Sequence, residues 1–234
     1  MKIGIMQPYF IPYLGYFQLM NAVDQFVIYD NIQYTKKGWI NRNRLLINGK
    51  DEYITLQIKK DSDYLNVDQR SLADAFETDK NKLLRKIDQA YKKAPMYPEV
   101  MPILHEIMNF NEKNLFQFIL NTIKVINRYL NIQTPIVISS QVNIDHQNLK
   151  AQDKVLAICK ALSGTEYINP IGGVELYQRK DFLKEGLQLH FIKTRVVPYP
   201  QFNNDFIPFL SIIDVMFFND KTMMSRLLLE YDME

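Results

Sequence analysis

Lys2-Ile3-Gly4-Ile5-Met6, Gly15 to Ala22 and Gln25-Phe26-Val27-Ile28-Tyr29-Asp30 decide how this chain is read. The first run is a short apolar segment of strand length, the second has helix length, and the third is again apolar and ends in polar residues. Two strands joined by a helix-length crossover are expected to lie parallel with a right-handed connection. The loops after Met6 and after Tyr29 then open on the same carboxyl edge of the sheet, where ligands of open α/β sheets bind.

Working outward, Leu45 to Ile47 and Tyr53 to Ile58 flank Asn48-Gly49, a two-residue turn signal that predicts a β-hairpin. Leu83, Leu84, Ile87, Ala90 and Tyr91 keep helical spacing up to Ala94-Pro95, and Leu115, Ile119, Ile123, Ile126 and Leu130 predict a longer helix. Strands are expected at Ile136–Ser139, Tyr167–Asn169 and Leu187–Ile192, with a helix over Asp153–Leu162. The tail is expected to be helical over Leu210–Phe218 and Lys221–Leu229, with Asp220 capping the last helix. The alternation predicts a single α/β domain over residues 1–234: a Rossmann-like, mostly parallel sheet flanked by helices, with a β-hairpin and a helical insertion at about 60–135.

Composition narrows the function. The 234 residues are 47% hydrophobic and carry 28 Lys+Arg against 26 Asp+Glu, a formal charge of +2. That is too little for a chain whose main partner is a polyanion, so no nucleic acid is expected. One cysteine, Cys159, and three scattered histidines provide no disulfide framework and no metal-ligand spacing, so no metal is expected. No run approaches the 18 apolar residues of a transmembrane segment, and Gln7-Pro8 cuts off the apolar start before it resembles a signal peptide. A cytoplasmic protein is expected.

Four stretches could carry chemistry. The first, Gln7-Pro8-Tyr9-Phe10-Ile11-Pro12-Tyr13-Leu14-Gly15, shapes the loop before the first helix, whose start suits an anion; Gln7, Tyr9 and Tyr13 are its candidate ligand contacts. The second runs from Tyr29 to Arg44. Asp30 is the candidate general base, Lys37 and Arg42 are candidate phosphate clamps, and Trp39 is a stacking platform, with Gln33, Asn41 and Asn43 as further polar contacts. In the third, Asn169-Pro170-Ile171-Gly172-Gly173, a Gly-Gly turn lets backbone N–H groups approach a ligand, with Asn169, Gly172 and Gly173 as candidates. The fourth holds Gln201 and Asp214. Gln201 offers an amide to sugar hydroxyls, whereas Asp214 sits in an apolar helix and needs a partner, either a structural tether or a ligand. Cys159 reads as a buried, inert thiol, and His146 as an exposed loop residue.

The opening, strand then Phe-x-Pro-x-x-Gly then helix, is similar to that of nucleotidylyltransferases with a His-x-x-His or His-x-Gly-His signature. Here Tyr13 and Tyr16 stand where the imidazoles would be, and tyrosine cannot supply their positive charge to a triphosphate transition state. The wider resemblance is to the WbqC-like family. It rests on Met6-Gln7-Pro8-Tyr9-Phe10 with Pro12-Tyr13 and Gly15-Tyr16-Phe17-Gln18, then Asp30, Gln33, Gly38-Trp39 and Asn41-Arg42-Asn43. Gln89 to Pro95, Ser139-Ser140, Tyr167 to Gly173 and Leu210 to Asp214 complete it. Many relatives carry a tryptophan and a histidine in the helix before Gln89, where this chain has Lys82 to Ile87, so no role for that histidine carries over.

The resemblance implies a step in bacterial surface polysaccharide or O-antigen (lipopolysaccharide) biosynthesis: transfer of an aminoacyl (glycyl) or other acyl group to the amino group of a nucleotide-linked deoxy-amino sugar. No tightly bound cofactor is expected. The donor would be an acyl thioester on coenzyme A or on an acyl carrier protein, and Asp30 would deprotonate the sugar ammonium. The alternative is a non-catalytic accessory protein that binds a nucleotide sugar or carrier on a degenerate nucleotidylyltransferase-like fold.

Overall fold

The computed structural model describes residues 1–234. β1 (Lys2–Met6), α1 (Leu14–Ala22) and β2 (Gln25–Ile28) form the expected βαβ unit, with β1 and β2 parallel and Met6 beside Ile28. A hairpin follows, β3 (Arg42–Ile47) and β4 (Lys50–Thr55), and then α2 (Phe76–Tyr91), α3 (Tyr97–Met108) and α4 (Leu115–Leu130). The chain returns through β5 (Ile136–Ile138), α5 (Ala151–Ala161), β6 (Glu166–Pro170), α6 (Arg179–Lys184) and β7 (Gln188–Thr194), and closes with α7 (Ile212–Phe218), α8 (Lys221–Leu227) and β8 (Tyr231–Met233). The protein is therefore α/β, a mostly parallel six-stranded sheet flanked by helices plus a separate antiparallel hairpin.

The sheet order is β5-β2-β1-β6-β7-β8, parallel throughout except for the β7–β8 pair. The chain moves outward from β1 through β2 to β5, then returns to β6 on the other side of β1. That reversal is the topological switch point, and it opens a crevice between the carboxyl ends of β1 and β6.

Side-chain alternation divides the core. Ile3, Ile5, Val27, Tyr167, Leu189 and Phe191 face α5 and α6. Phe26, Ile28, Ile168 and Ile192 face α1, in one apolar cluster that also contains the buried faces of α2, α3 and α4 and the hairpin residues Leu45 to Ile47. Gly4 lets α1 approach closely, since a Cβ there would meet Leu19 and Phe26 at 3.3 Å.

The hairpin starts earlier on its second strand than its alternation suggests. Asn48 and Gly49 both take positive φ, 53° and 75°, so Ile47 pairs directly with Lys50. Asp220 caps α8 as expected, accepting from Met223 N at 2.8 Å. The chain turns into the antiparallel edge strand β8 where the tail helix was expected to end, and α3, with Pro98 in its first turn and Pro102 inside it, was not expected.

Candidate functional site

A cleft of about 840 Å³ lies over the carboxyl ends of β1, β6 and β7. Its floor and one wall come from Gln7 after β1 and from Asn169, Gly172 and Gly173 at and after β6. Asn169 is a fixed amide: its Oδ1 accepts from Tyr167 Oη at 2.9 Å, and its Nδ2 donates to the Pro170 carbonyl at 2.9 Å. Gly173 makes room for it, because a Cβ there would fall 2.1 Å from Asn169 Nδ2, whereas nothing lies within 4 Å of a Cβ at Gly172.

Aromatic rings supply much of the rest. Tyr9 and Tyr13, from the loop before α1, line the cleft together with Tyr29, Tyr177 and Trp39. Burial pushes the Tyr9 hydroxyl up to about 12, helped by Tyr13, so it is a neutral donor throughout the physiological range. Trp39 is 37% exposed, with its ring on Tyr53 at a centroid distance of 6.1 Å and 30° between planes. The Arg42 guanidinium lies over the other ring of that pair, 4.5 Å from the Tyr53 centroid, and Arg44 lies 5.7 Å from that of Trp39. Trp39 therefore stands at the rim of the cleft and not in the core.

Charge in the lining is one-sided: Lys154 and Lys193 are its only ionisable groups other than tyrosines. Lys193 is exposed, 4.0 Å from the Glu234 carboxylate. Lys154, on the first turn of α5, is only 8% exposed. Its ammonium donates to Asn31 Oδ1 at 3.0 Å and less closely to the Asn31 carbonyl at 3.4 Å, and it stands 5.3 Å from the Tyr29 ring centroid. Burial lowers the Lys154 pKa, and the nearby Asp30 charge opposes this only in part.

Asp30 lies one step behind that wall. Its Oδ1 accepts from Ser139 Oγ at 2.8 Å and from Ser140 N at 2.9 Å, and its Oδ2 accepts from Ser140 Oγ. Ser139 Oγ also sits 2.8 Å from Asn31 Oδ1. The carboxylate thus ties the end of β2 to the turn Ser139–Gln141 after β5 and does not line the cleft. His146, expected to be exposed and unpartnered, completes this network. Its Nδ1 accepts from Asn31 Nδ2 at 3.0 Å and its Nε2 donates to the Val142 carbonyl at 2.8 Å.

Several other candidates are occupied within the fold. Arg42 donates to the carbonyls of Gly38, at 3.0 Å, and Lys37, holding the loop before β3. Lys37 itself is exposed, away from the cleft lining. Asn41 is buried between Tyr34 Oη, which donates to it at 2.8 Å, and the Leu56 carbonyl. Asn43 donates to the carbonyls of Phe10 and Ile11, and Gln33 donates to that of Asp63. Gln201 and Asp214 meet in a separate, sealed cluster: Tyr91 Oη and Tyr199 Oη each donate to the Asp214 carboxylate at 2.6 Å, and Gln201 Nε2 donates at 2.8 Å. Lys154 is the functional candidate that pattern reading missed. Its signal was a lysine in the first turn of a helix, followed directly by Val155-Leu156.

Cys159 is fully buried, with burial pushing its thiol up to about 12. No group of three or more His, Cys, Asp and Glu side chains is placed to hold a metal ion. No helix is long and apolar enough to cross a membrane.

The uncharacterized protein Rv1507c of Mycobacterium tuberculosis is 28% identical over 222 residues, covering 92% of this chain and 93% of that protein. No solved structure matches. The WbqC-like protein family model matches residues 7–226, and the chain belongs to that family.

Proposed function

We propose that the cleft binds a nucleotide-linked amino sugar and that the protein transfers an acyl or aminoacyl group to its amino nitrogen, in the assembly of a bacterial surface polysaccharide. The observation that carries the reading is the lining itself: aromatic rings, the fixed Asn169 amide beside that of Gln7, and a one-sided positive charge at the switch point of a parallel sheet. Rings stack on Tyr and Trp faces, Asn169 and Gln7 address sugar hydroxyls, and the lysines complement phosphate.

In the reaction the sugar nitrogen attacks the carbonyl carbon of a thioester on coenzyme A or a carrier protein. The C–N bond forms, the C–S bond breaks, and the thiolate leaves as the nitrogen gives up a proton. No covalent enzyme intermediate is invoked, in keeping with a thiol that is buried. Asp30 enters in one of two ways. It orients Asn31 and Lys154 through Ser139, or it takes the proton by way of solvent and the exposed Ser140 hydroxyl that donates to it, which itself stands outside the cleft lining.

The test is incubation of the purified protein with a panel of nucleotide-linked amino sugars and acyl thioesters, followed by mass spectrometry. Acylated sugar in step with free thiol is expected. Thiol release without sugar acylation contradicts the reading. One observation favours a second reading, a binding protein without turnover: no cysteine, histidine, aspartate or glutamate lines the cleft. Saturable sugar-nucleotide binding with no product from any donor would select it.

A further inference from the structure

Lys154 is placed at a cost that its surroundings offset only in part. A buried ammonium is expensive unless it is paired, yet Lys154 forms no direct ion pair: its hydrogen bonds go to the neutral amide and carbonyl of Asn31, with the Tyr29 ring beside it and the Asp30 carboxylate held off behind Ser139. It also stands in the first turn of α5, where the helix dipole favours anions over cations. That turn is open as well, because Lys150, the residue before it, provides no side-chain acceptor for its free N–H groups. Ala151, which begins the helix and lines the cleft, holds a φ of 43°, a left-handed conformation costly for a residue with a Cβ. These unfavourable features meet on one wall of one cleft.

An anion seated between the Lys154 ammonium and the first turn of α5 removes two of them at once. It pairs the buried charge and satisfies the open N–H groups. We infer that Lys154 and the start of α5 form an anion subsite for the diphosphate of the cleft ligand, leaving the ring-bearing end to Tyr9, Tyr13 and Trp39. The assignment rests on the proposal that the cleft takes a sugar nucleotide, and it is independent of acyl transfer. It also moves the phosphate site away from Lys37 and Arg42, since the Arg42 guanidinium is already bonded to backbone carbonyls.

The experiment is calorimetric titration of the whole protein with inorganic pyrophosphate, with UDP and with uridine. The variants are Lys154→Met, Lys154→Arg and, as an exposed control, Lys36→Met. Lys154→Met removes a buried unpaired charge while keeping the chain length, so its ligand-free melting temperature should be equal to or above that of the parent, which guards against misfolding as an explanation. Pyrophosphate and UDP binding should weaken about tenfold or more in that variant, the scale of one charged hydrogen bond. Binding should largely return in Lys154→Arg and stay unchanged in Lys36→Met, while uridine binding moves little. Failure of the parent to bind pyrophosphate, equal pyrophosphate affinity in Lys154→Met, or an equal loss for uridine would overturn the subsite. Lys154-dependent pyrophosphate binding together with absent acyl transfer would uphold it and sink only the catalytic reading.

Discussion

Asp30 and Asp214 are both buried carboxylates, 5% and 0% exposed, and each accepts at least three hydrogen bonds. They differ in what lies at the far end of those bonds. The donors to Asp214 come from α2 and from the segment before α7, two tyrosines and a glutamine that close on it from separate parts of the chain. Tyr91 Oη also accepts from Leu46 N, so the cluster ends in the hairpin. The donors to Asp30 are consecutive serines at the edge of the sheet, and the network continues through Asn31 to the ammonium lining the cleft. One carboxylate fastens the core and the other stands behind the proposed site. A buried acid thus acquires a functional meaning from where its network leads, not from its burial.

The largest expected effect breaks the core cluster. Asp214→Ala removes the acceptor of two buried tyrosine O–H donors and of one Gln201 N–H and leaves a cavity among them, and should cost about 3–5 kcal/mol in chemical denaturation. A loss below about 1 kcal/mol would erase the contrast between the two sites. Asp30→Asn is the next test. On sequence grounds this change looks nearly silent for stability. The geometry makes it costly by about 1–3 kcal/mol, because three charge-assisted hydrogen bonds become neutral ones and Ser140 Oγ must turn from donor to acceptor toward the new NH₂. If Asp30 is also the base, turnover should fall roughly 10²-fold beyond what ligand affinity explains. Normal turnover leaves Asp30 as a positioning residue.

Trp39→Ala sharpens the comparison from the cleft side. Ligand affinity should drop by about 1–3 kcal/mol, a lost stacking contact, while denaturation moves by roughly 0.5 kcal/mol or less. The smallest effect is in pH. Burial raises the Asp214 pKa above its ordinary 3.8, outweighing the tyrosine and glutamine hydrogen bonds that lower it. A carboxyl raised on folding stabilises the folded state fully below its unfolded pKa, and that contribution is lost as pH climbs through the folded value. The stability advantage of the parent over Asp214→Asn, followed by urea midpoints, should therefore shrink from about pH 4 upward and then level off.

The βαβ opening was legible because Ile3, Ile5, Phe26 and Ile28 repeat at strand period on either side of a helix-length segment. Asn48-Gly49 carries its turn chemistry in its own two residues. α3 was hidden by Pro98 and Pro102, which read as breakers although one lies in the first turn, where its missing N–H costs nothing. β8 is three residues long and gains its hydrogen bonds only from β7, a partner that local pattern does not reveal. At the site, the Gln7, Tyr9, Tyr13 and Asn169–Gly173 stretches could be placed at the sheet edge because each abuts a strand of the parallel sheet. Asn41, Asn43 and Arg42 could not be resolved that way, since an amide or guanidinium that braces a loop has the same composition as one that waits for a ligand. Lys154 was invisible because its cost arises from burial by Tyr29 and Asn31, residues more than a hundred positions away.

The central claim, that the cleft between β1 and β6 is the ligand site, is tested most directly at Gly172. A Cβ there meets no atom within 4 Å and the position lines the cleft, so Gly172→Phe should fill the ligand space without disturbing the fold. Calorimetric titration with a nucleotide-linked amino sugar that binds the parent is predicted to show no binding to Gly172→Phe at an unchanged melting temperature. Undiminished binding by that variant would place the site elsewhere on the molecule.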